Sequence, residues 1–232
     1  EPLLLQLQRV LLCAATAELP DHGTMVCVSR DLPPSAMARL RATDAMQLLG
    51  WDDLQLTLTE ARGIARKRCE GAKVDAKRLE RLYKRADGWA AGFVLMLEHV
   101  QRVPGDPDDG AITPEIVFDY FDSEIFQYLE PDAREVVLQT AFLPSVSAAV
   151  AEQLLGTVNA VGVLERLTRN SWFTSRRSGS TDLYQYHPLF REFLLRKAAE
   201  YYPAHHLRHV QQMAARVLEQ QGHYDSAVGL RL

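Results

Sequence analysis

The sequence predicts a mainly α-helical, multidomain chain with a winged helix and the remnant of an α/β domain. Its 232 residues exceed the roughly 100 to 150 of a common domain, so more than one hydrophobic core is expected. Apolar residues recur at helical spacing behind capping residues over most of the chain. Two short strands within residues 172–186 follow several helices and precede another, which is the order of a winged helix.

Residues 1–56 have the pattern of the edge of an α/β domain. The apolar run TMVCVSR at 24–30 predicts a strand buried on both faces, and residues 54–56 predict a shorter strand. Arg30 would end the first strand, and open α/β sheets bind ligands at the carboxyl ends of their strands. Its guanidinium would therefore either contact a phosphate or pair with an acidic side chain on the surface.

Residues 57–102 predict a helical segment. Thr57 and Glu60 have the spacing of a capping box, so a helix is expected to run to about Arg68. A second helix should end near Gly88, because glycine is the usual residue just past a helix C-terminus. A third helix carries apolar residues at helical spacing that we assign to the core rather than to a cofactor site: Trp89, Phe93, Met96, Leu97 and Val100.

Residues 103–114, VPGDPDDGAITP, predict an acidic linker because they are rich in Pro, Gly and Asp. Residues 115–198 predict the winged helix. Within it, Pro131 should open one helix, and Ser147 and Asn159 should cap two more ahead of the strand pair. These signals place the strands of the wing after a set of well-delimited helices.

The stretch from Ser171 to Lys197 is the most informative part of the winged helix. It predicts a strand, a turn, a second strand and a helix whose first residue is Pro188. His187 thus precedes a helix N-terminus, where N–H groups without helical partners carry partial positive charge. It would serve either as a polar cap or as a contact to an anion such as a phosphate.

Residues 199–232 predict two helices joined by a short turn, as at the start of a TPR-like helical repeat. His205 and His209 lie one helical turn apart there, near His206 and His223. No Glu stands between them in an HExxH arrangement and no Cys lies nearby, so we predict solvated histidines and no metal site. The sequence also contains no GxSxG elbow and no persuasive Cys and His pair, so no catalytic residue is predicted.

The charge balance argues against a nucleic-acid binder, with a formal net charge of -4 and a pI of about 6.0. A DNA-binding winged helix nevertheless stays open as an alternative. It would place Arg166 and Arg169 in the groove and Arg176 and Arg177 on the phosphates. A protein-interaction module that uses no nucleotide is the other alternative.

The cysteines indicate a reducing compartment. Cys13, Cys27 and Cys69 are odd in number, far apart and without a CxxC pair, which favours free thiols in the cytoplasm. No apolar run approaches the roughly 20 residues of a membrane span, so no membrane contact is predicted. The chain lacks an initial Met and ends within a helical pattern, so we expect it to be a piece of a longer protein.

Four segments resemble the MalT-like large LuxR-type transcriptional regulators, which are STAND-class signal-transduction ATPases. The segments are MVCVSRDLPPSAMARLRA at 25–42, DLQLTLTEA at 53–61, ADGWAAGFVL at 86–95 and YQYHPLFREFL at 184–194. The similarity covers nearly the whole chain, and the run YHPLF at 186–190 is its most specific element. It implies, in order, the end of a nucleotide-binding domain, a helical lid, a winged helix and the start of a helical-repeat arm.

The resemblance also implies site residues. Arg30 matches the arginine that ends the sensor strand and faces the terminal phosphate. Gly88 and Ala90 match the lid motif near the adenine, usually Gly-x-Pro, although Ala90 here replaces the proline. His187 matches the winged-helix histidine thought to hold the ADP phosphates in the resting state.

Arg39 and Arg41 match a basic pair after the sensor strand, for which the resemblance specifies no role. The family's P-loop, its acidic Mg-binding strand and its DNA-binding helix-turn-helix have no match in this chain. The resemblance therefore implies ATP or ADP in the parent protein, but no hydrolysis and no tight nucleotide binding by this chain alone. It also implies an inducer or regulatory protein on the repeat arm, self-association on activation, and DNA contact through a domain absent from this chain.

Overall fold

The structure is a computed structural model that describes residues 14–15, 18–20, 23–29, 33, 35–69, 75–102, 115–156, 159–170, 172–177 and 182–231. The chain divides into two compact units, residues 1–53 and residues 54–232. The described residues are mostly helical and include one small sheet, so the mainly α prediction is confirmed.

The described part of the first unit is short of regular structure. It contains a 3-10 turn at Ser35–Met37 and helix α1 at Ala38–Ala42. The strand predicted at 24–30 is wrong over the described residues 24–29, which form no strand and leave Val26 81% and Val28 96% exposed. A parallel strand needs neighbouring strands to bond its N–H and C=O groups, and the described residues give this segment none.

The second strand prediction, at residues 54–56, is also wrong. Leu54 ends helix α2, which spans Trp51–Leu54. Leu56 is buried, and its N–H donates to the carbonyl of Gly88 at 2.8 Å. A single backbone bond of this kind fixes the entry to the next helix, but it does not make a ladder of paired strands.

Three helices follow, α3 at Leu58–Arg68, α4 at Ala76–Ala86 and α5 at Ala90–Arg102. The predicted capping box is present before α3: the Glu60 N–H donates to the Thr57 hydroxyl at 3.3 Å, and the Thr57 N–H donates to the Glu60 carboxylate at 2.9 Å. The core prediction for the third helix is confirmed, because its apolar residues are all buried: Trp89, Phe93, Met96, Leu97 and Val100.

The winged helix is formed by helices that surround a small sheet. Its elements are α6 at Glu115–Glu124, a 3-10 turn at Phe126–Tyr128, α7 at Pro131–Thr140, β1 at Val146–Ser147, α8 at Ala148–Leu155, α9 at Ala160–Arg169, β2 at Thr174–Arg177, β3 at Leu183–Tyr186 and α10 at Pro188–Tyr201. The predicted caps are present, because the side chains of Ser147 and Asn159 accept from backbone N–H groups of α8 and α9 at 3.3 and 3.0 Å.

The sheet is antiparallel with strand order β1-β3-β2. Thr174 of β2 lies opposite Tyr186, and Val146 of β1 lies opposite Tyr184. Tyr184 and Tyr186 are buried, whereas Leu183, the first residue of β3, is 37% exposed. The sequence did not predict β1, because two residues are too short for any periodicity to appear.

The chain continues into a helical hairpin of α11 at Ala204–Gln220 and α12 at Tyr224–Gly229. The turn contains Gly222 with a φ of 79°. Val210, Ala214 and Val217 are buried on α11, as their helical register predicts. Among the described residues, every helix is either too short or too polar to cross a bilayer.

Candidate functional site

His187 lies between β3 and α10 and caps the helix. Its Nδ1 atom accepts a hydrogen bond from the Leu189 N–H at 3.2 Å, and Pro188 occupies the first helical position. One of the helix's N–H groups that lack helical partners is thereby satisfied. The capping role anticipated from the sequence is therefore present.

The other ring nitrogen of His187 contacts the end of α4. Nε2 lies 2.9 Å from the carbonyl oxygen of Ala86. Since Nδ1 acts as an acceptor, the ring proton resides on Nε2 and is donated to this carbonyl. Ala86 is the last residue of α4, where carbonyls have no helical partners. One imidazole thus joins the N-terminus of α10 to the C-terminus of α4.

The end of α4 is shaped by two residues in the left-handed region. Asp87 has a φ of 44° and Gly88 a φ of 85°, which confirms the predicted helix end near Gly88. This turn leaves the Ala86 carbonyl to accept from both the Trp89 N–H and the His187 ring. The Gly88 carbonyl accepts from the Leu56 N–H, so the turn is fixed from a second side.

Two aromatic rings enclose the His187 imidazole, which is only 8% exposed. Trp89 and Phe173 meet it edge to face, with centroids at 6.3 and 5.7 Å. Phe173 has a φ of 50°, an uncommon conformation for a bulky residue that costs on the order of 1–3 kcal/mol. Its carbonyl accepts the His187 N–H at 2.8 Å, so the strained turn is held directly against the site.

Phe121 of α6 is the centre of the surrounding aromatic cluster. Its ring stacks on Trp89 with a centroid distance of 5.2 Å and meets Phe173 edge to face at 5.0 Å. It also contacts Phe190 and Phe193 of α10 at 5.2 and 5.6 Å. This cluster packs Trp89, which lies between α4 and α5, against the winged helix beneath the His187 contact.

An ion pair makes a second link between α4 and α10. The Arg85 guanidinium contacts both carboxylate oxygens of Glu192, at 3.1 and 2.9 Å. Arg85 directly precedes Ala86, and Glu192 follows His187 by just over one helical turn. Sequence reasoning missed this pair, because a charged residue on each of two amphipathic helices gives no signal of its partner 107 positions away.

The other predicted site residues do not all lie near His187 in the sequence or in the described structure. Ala90 begins α5 and is partly buried, two residues after Gly88. Arg39 and Arg41 are exposed on α1 in the first unit, and Arg30 lies outside the described residues. The described contacts of the site therefore involve Gly88, its neighbours and His187, all within residues 54–232.

Burial lowers the pKa of His187 below its usual value of 6.5. The hydrogen bond to the Ala86 carbonyl, the Asp87 carboxylate and the Asp87 backbone act in the opposite direction, but burial is the largest influence. The neutral ring also matches the geometry, since a proton on Nδ1 would oppose the Leu189 N–H.

We expect the free energy of unfolding to fall as the pH is lowered through about 6.5, because the unfolded chain then binds a proton at His187 that the folded chain excludes. Urea unfolding of the wild type and His187→Gln at about pH 7.5 and about pH 5.5 measures this effect. The stability of the wild type relative to His187→Gln should decrease at the lower pH. His209→Gln, at an exposed histidine, is the control. If the difference in free energy of unfolding between the wild type and His187→Gln were the same at both pH values, it would contradict a buried neutral ring at His187.

The histidines of the hairpin do not assemble a metal site within the described residues, where no group of three or more His, Cys, Asp or Glu side chains converges. His205 and His209 are exposed, and the His206 ring packs on Tyr202 with a centroid distance of 4.5 Å. Cys27 and Cys69 are free thiols.

The face that would contact DNA in a winged helix carries mixed charge. Arg166 and Arg169 are exposed on α9, but exposed Glu165 lies beside them. On the wing, Arg176 pairs with Asp182 at 2.5 Å, while Arg177 is exposed. The face is thus less basic than its four arginines alone indicate.

Comparison with known proteins supports the winged helix. Residues 122–206 match the family model of the MalT winged helix domain. The chain is 29% identical over 180 residues to the HTH-type transcriptional regulator MalT of Cronobacter sakazakii, which is 75% of this chain and 20% of that protein. The MalT proteins of Vibrio cholerae and Serratia proteamaculans are 28% identical over 181 residues (76% of this chain, 20% of that protein) and 27% identical over 180 residues (75% and 20%).

The chain thus spans about one fifth of the length of the curated relatives it matches. The predictions of a winged helix and of a MalT-like chain are both confirmed.

Proposed function

We propose that this MalT-like chain is the regulatory part of an ATP-dependent transcriptional activator, in which the docked lid and winged helix are the resting state of a switch. The observation that carries the proposal is the single imidazole of His187, which caps α10 and donates to the last carbonyl of α4. In this proposal residues 57–102 are the lid, 115–198 the winged helix and 199–232 the start of the repeat arm.

The contacts between the proposed lid and the winged helix are of kinds that can break and re-form. The described contacts include a neutral hydrogen bond, a partly exposed ion pair and an aromatic cluster. Each polar link contributes about 1 kcal/mol, which is the scale of a two-state equilibrium that a ligand can shift. A ligand that prefers the undocked form would therefore change the population measurably.

The described residues do not by themselves fit ATP or ADP. Both ring nitrogens of His187 are engaged, and the sequence contains no P-loop match. We therefore assign nucleotide binding to the parent protein, with Arg30, Gly88 and Ala90 as its candidate contacts from this chain. His187 is a candidate contact only in a form in which its Nε2 no longer donates to the Ala86 carbonyl. An inducer or regulatory protein on the repeat arm, self-association, DNA contact through another domain and a cytoplasmic location complete the proposal.

His187→Ala in the full-length parent tests this function. Loss of a hydrogen bond worth about 1 kcal/mol would shift the docked equilibrium about fivefold, so transcription of a target reporter without inducer should rise by about that factor. Arg85→Ala should act in the same direction, because it removes the second link while leaving His187 in place. His209→Ala, at an exposed residue, should leave the basal level unchanged.

The nucleotide retained by the purified parent separates this function from its alternative. Unchanged basal transcription together with unchanged ADP retention in His187→Ala would refute the switch. A parent that retains no nucleotide would favour the second candidate, a DNA-binding or protein-interaction module, which the exposed Arg166, Arg169 and Arg177 support. DNA binding by the chain itself would then depend steeply on salt.

A further inference from the structure

Helices α3 and α4 carry a large share of the positive charge of the chain. Together they are 22 residues long and contain nine of its 26 lysines and arginines. The only carboxylates on the two helices are Glu60 and Glu80, so their formal charge is +7, whereas all other residues together sum to -11. The net charge of -4 therefore combines a strongly basic segment with an acidic remainder.

Most of these cations are exposed, and only some have an acidic partner. Arg68 pairs with Glu98, and Lys84 pairs with Glu80 at 3.0 Å. Among the residues that the structure describes, five exposed cations of α3 and α4 form no ion pair, and we call them the basic surface: Arg62, Arg66, Lys67, Lys77 and Arg81. Their charges are therefore available to an external anion.

The basic surface lies on the sides of the two helices that face away from the core. The helices pack against each other, and their inward sides are buried: Ala61, Ala65, Leu79, Leu82 and Ala86. Arg62 and Arg66 are one helical turn apart on α3, as are Lys77 and Arg81 on α4. Each helix thus presents its own row of cations to solvent.

The basic surface lacks the apolar groups on which protein partners depend. Both helices are described in full, and neither exposes a large hydrophobic or aromatic side chain. The centre of a protein interface is depleted in charged residues and is anchored by buried aromatic or aliphatic side chains. Single-stranded nucleic acids are bound in part by stacking on aromatic rings. The phosphates of a duplex, in contrast, are bound largely by lysine and arginine.

We infer that the basic surface of α3 and α4 binds the phosphate backbone of duplex DNA without reading the base sequence. Charges more than about 8 Å away are largely screened at physiological ionic strength, so the local excess of cations governs this contact although the whole chain is acidic. The proposed function supplies the choice of DNA over RNA, because it places the chain in a transcriptional activator. The inference goes beyond that function by assigning a DNA contact to this chain itself, and it does not require the nucleotide switch.

Fluorescence anisotropy with the 232-residue chain and a labelled random-sequence DNA duplex, between about 50 and 200 mM salt, tests the inference. The Kd should be about 10⁻⁴ to 10⁻⁶ M at physiological salt and the same for unrelated sequences. Each phosphate contact contributes about 0.9 to the slope of log K against log salt. Arg62→Gln with Arg66→Gln should therefore reduce the slope by about 2, and Lys77→Gln with Arg81→Gln should reduce it equally.

Arg166→Gln with Arg169→Gln is the matched control, because it removes the same charge from exposed positions of α9. It should leave the slope unchanged, which separates the basic surface from a winged helix that binds DNA through α9. All of these positions are exposed, so the substitutions should change stability by no more than about 0.5 kcal/mol. Since the two test pairs lie on different helices, either pair tests the inference if thermal unfolding shows that the other impairs folding.

Several results would overturn the inference. They are no binding at about 50 mM salt, a slope that either folded pair leaves unchanged, or an equal reduction of the slope in the α9 control. Tighter binding of a duplex RNA of the same length, of poly-glutamate or of phosphatidylserine vesicles would also overturn it. The assay contains no nucleotide and measures no transcription, so its failure would leave the His187 switch standing, and the failure of that switch would leave the basic surface standing.

Discussion

Replacing Phe121 with alanine is expected to lower the free energy of unfolding by about 3–5 kcal/mol. Phe121 is fully buried, and its ring contacts Trp89, Phe173 and two phenylalanines of α10. Removing the ring loses its transfer free energy and leaves a cavity. Its neighbours are themselves rings with few rotamers, so they cannot collapse into the space, and the cost should reach the upper part of the range.

The position of Phe121 gives this variant a second consequence. The lost contacts include Trp89, just before α5, and Phe190 of α10, so the substitution weakens the packing that holds the turn between α4 and α5 to the winged helix. Each aromatic pair adds about 0.5–1.5 kcal/mol beyond the buried area. Helices α4 and α5 should consequently be held less strongly to the winged helix in this variant than in the wild type.

Urea unfolding followed by circular dichroism measures the loss for Phe121→Ala. Tyr128→Ala is the matched control, because Tyr128 is also aromatic and close in sequence but 65% exposed. The control should change stability by no more than about 0.5 kcal/mol. Similar losses for both variants would show that Phe121 is not the centre of the cluster.

Local chemistry explains which parts of the fold the sequence could predict. The capping box at Thr57 and the caps at Ser147 and Asn159 depend on residues three positions apart, so their signals survive in any context. The strand predicted at 24–30 is wrong because a strand depends on partners that are distant in the sequence. Its apolar run is compatible with a buried strand, but a strand forms only with partners, and the described residues pair none with it.

The candidate site likewise combines features that the local sequence predicts with contacts between residues far apart in the sequence. A helix cap was one of the two roles predicted for His187 from its place before Pro188, and the structure shows that role. Its second partner, the Ala86 carbonyl, lies 101 residues away, and nothing in the local pattern could indicate that contact. Gly88 was predicted to end a helix, and the left-handed turn it shares with Asp87 is what leaves this carbonyl accessible to the imidazole.

Gly92→Ala is expected to lower the free energy of unfolding by about 1–3 kcal/mol, although alanine is the better helix former by about 1 kcal/mol. A Cβ atom at Gly92 would lie 2.0 Å from Cε3 of Trp89, far inside contact distance. Trp89 cannot move away freely, because Tyr120, Phe121 and Phe173 confine its ring. The steric cost should therefore exceed the gain in helix propensity.

Gly63→Ala measures the effect of helix propensity on stability without a steric clash. Gly63 lies in the interior of α3, and a Cβ atom there would meet nothing within 4 Å. This control should raise stability by about 0.5–1 kcal/mol, so the two Gly→Ala substitutions are expected to have opposite signs. Thermal unfolding of both variants measures the difference. If both stabilise the chain, Trp89 is not confined against α5, and the aromatic support beneath the His187 contact would have to be reconsidered. Opposite signs would mean that the small residue at 92 is needed to seat Trp89 against His187.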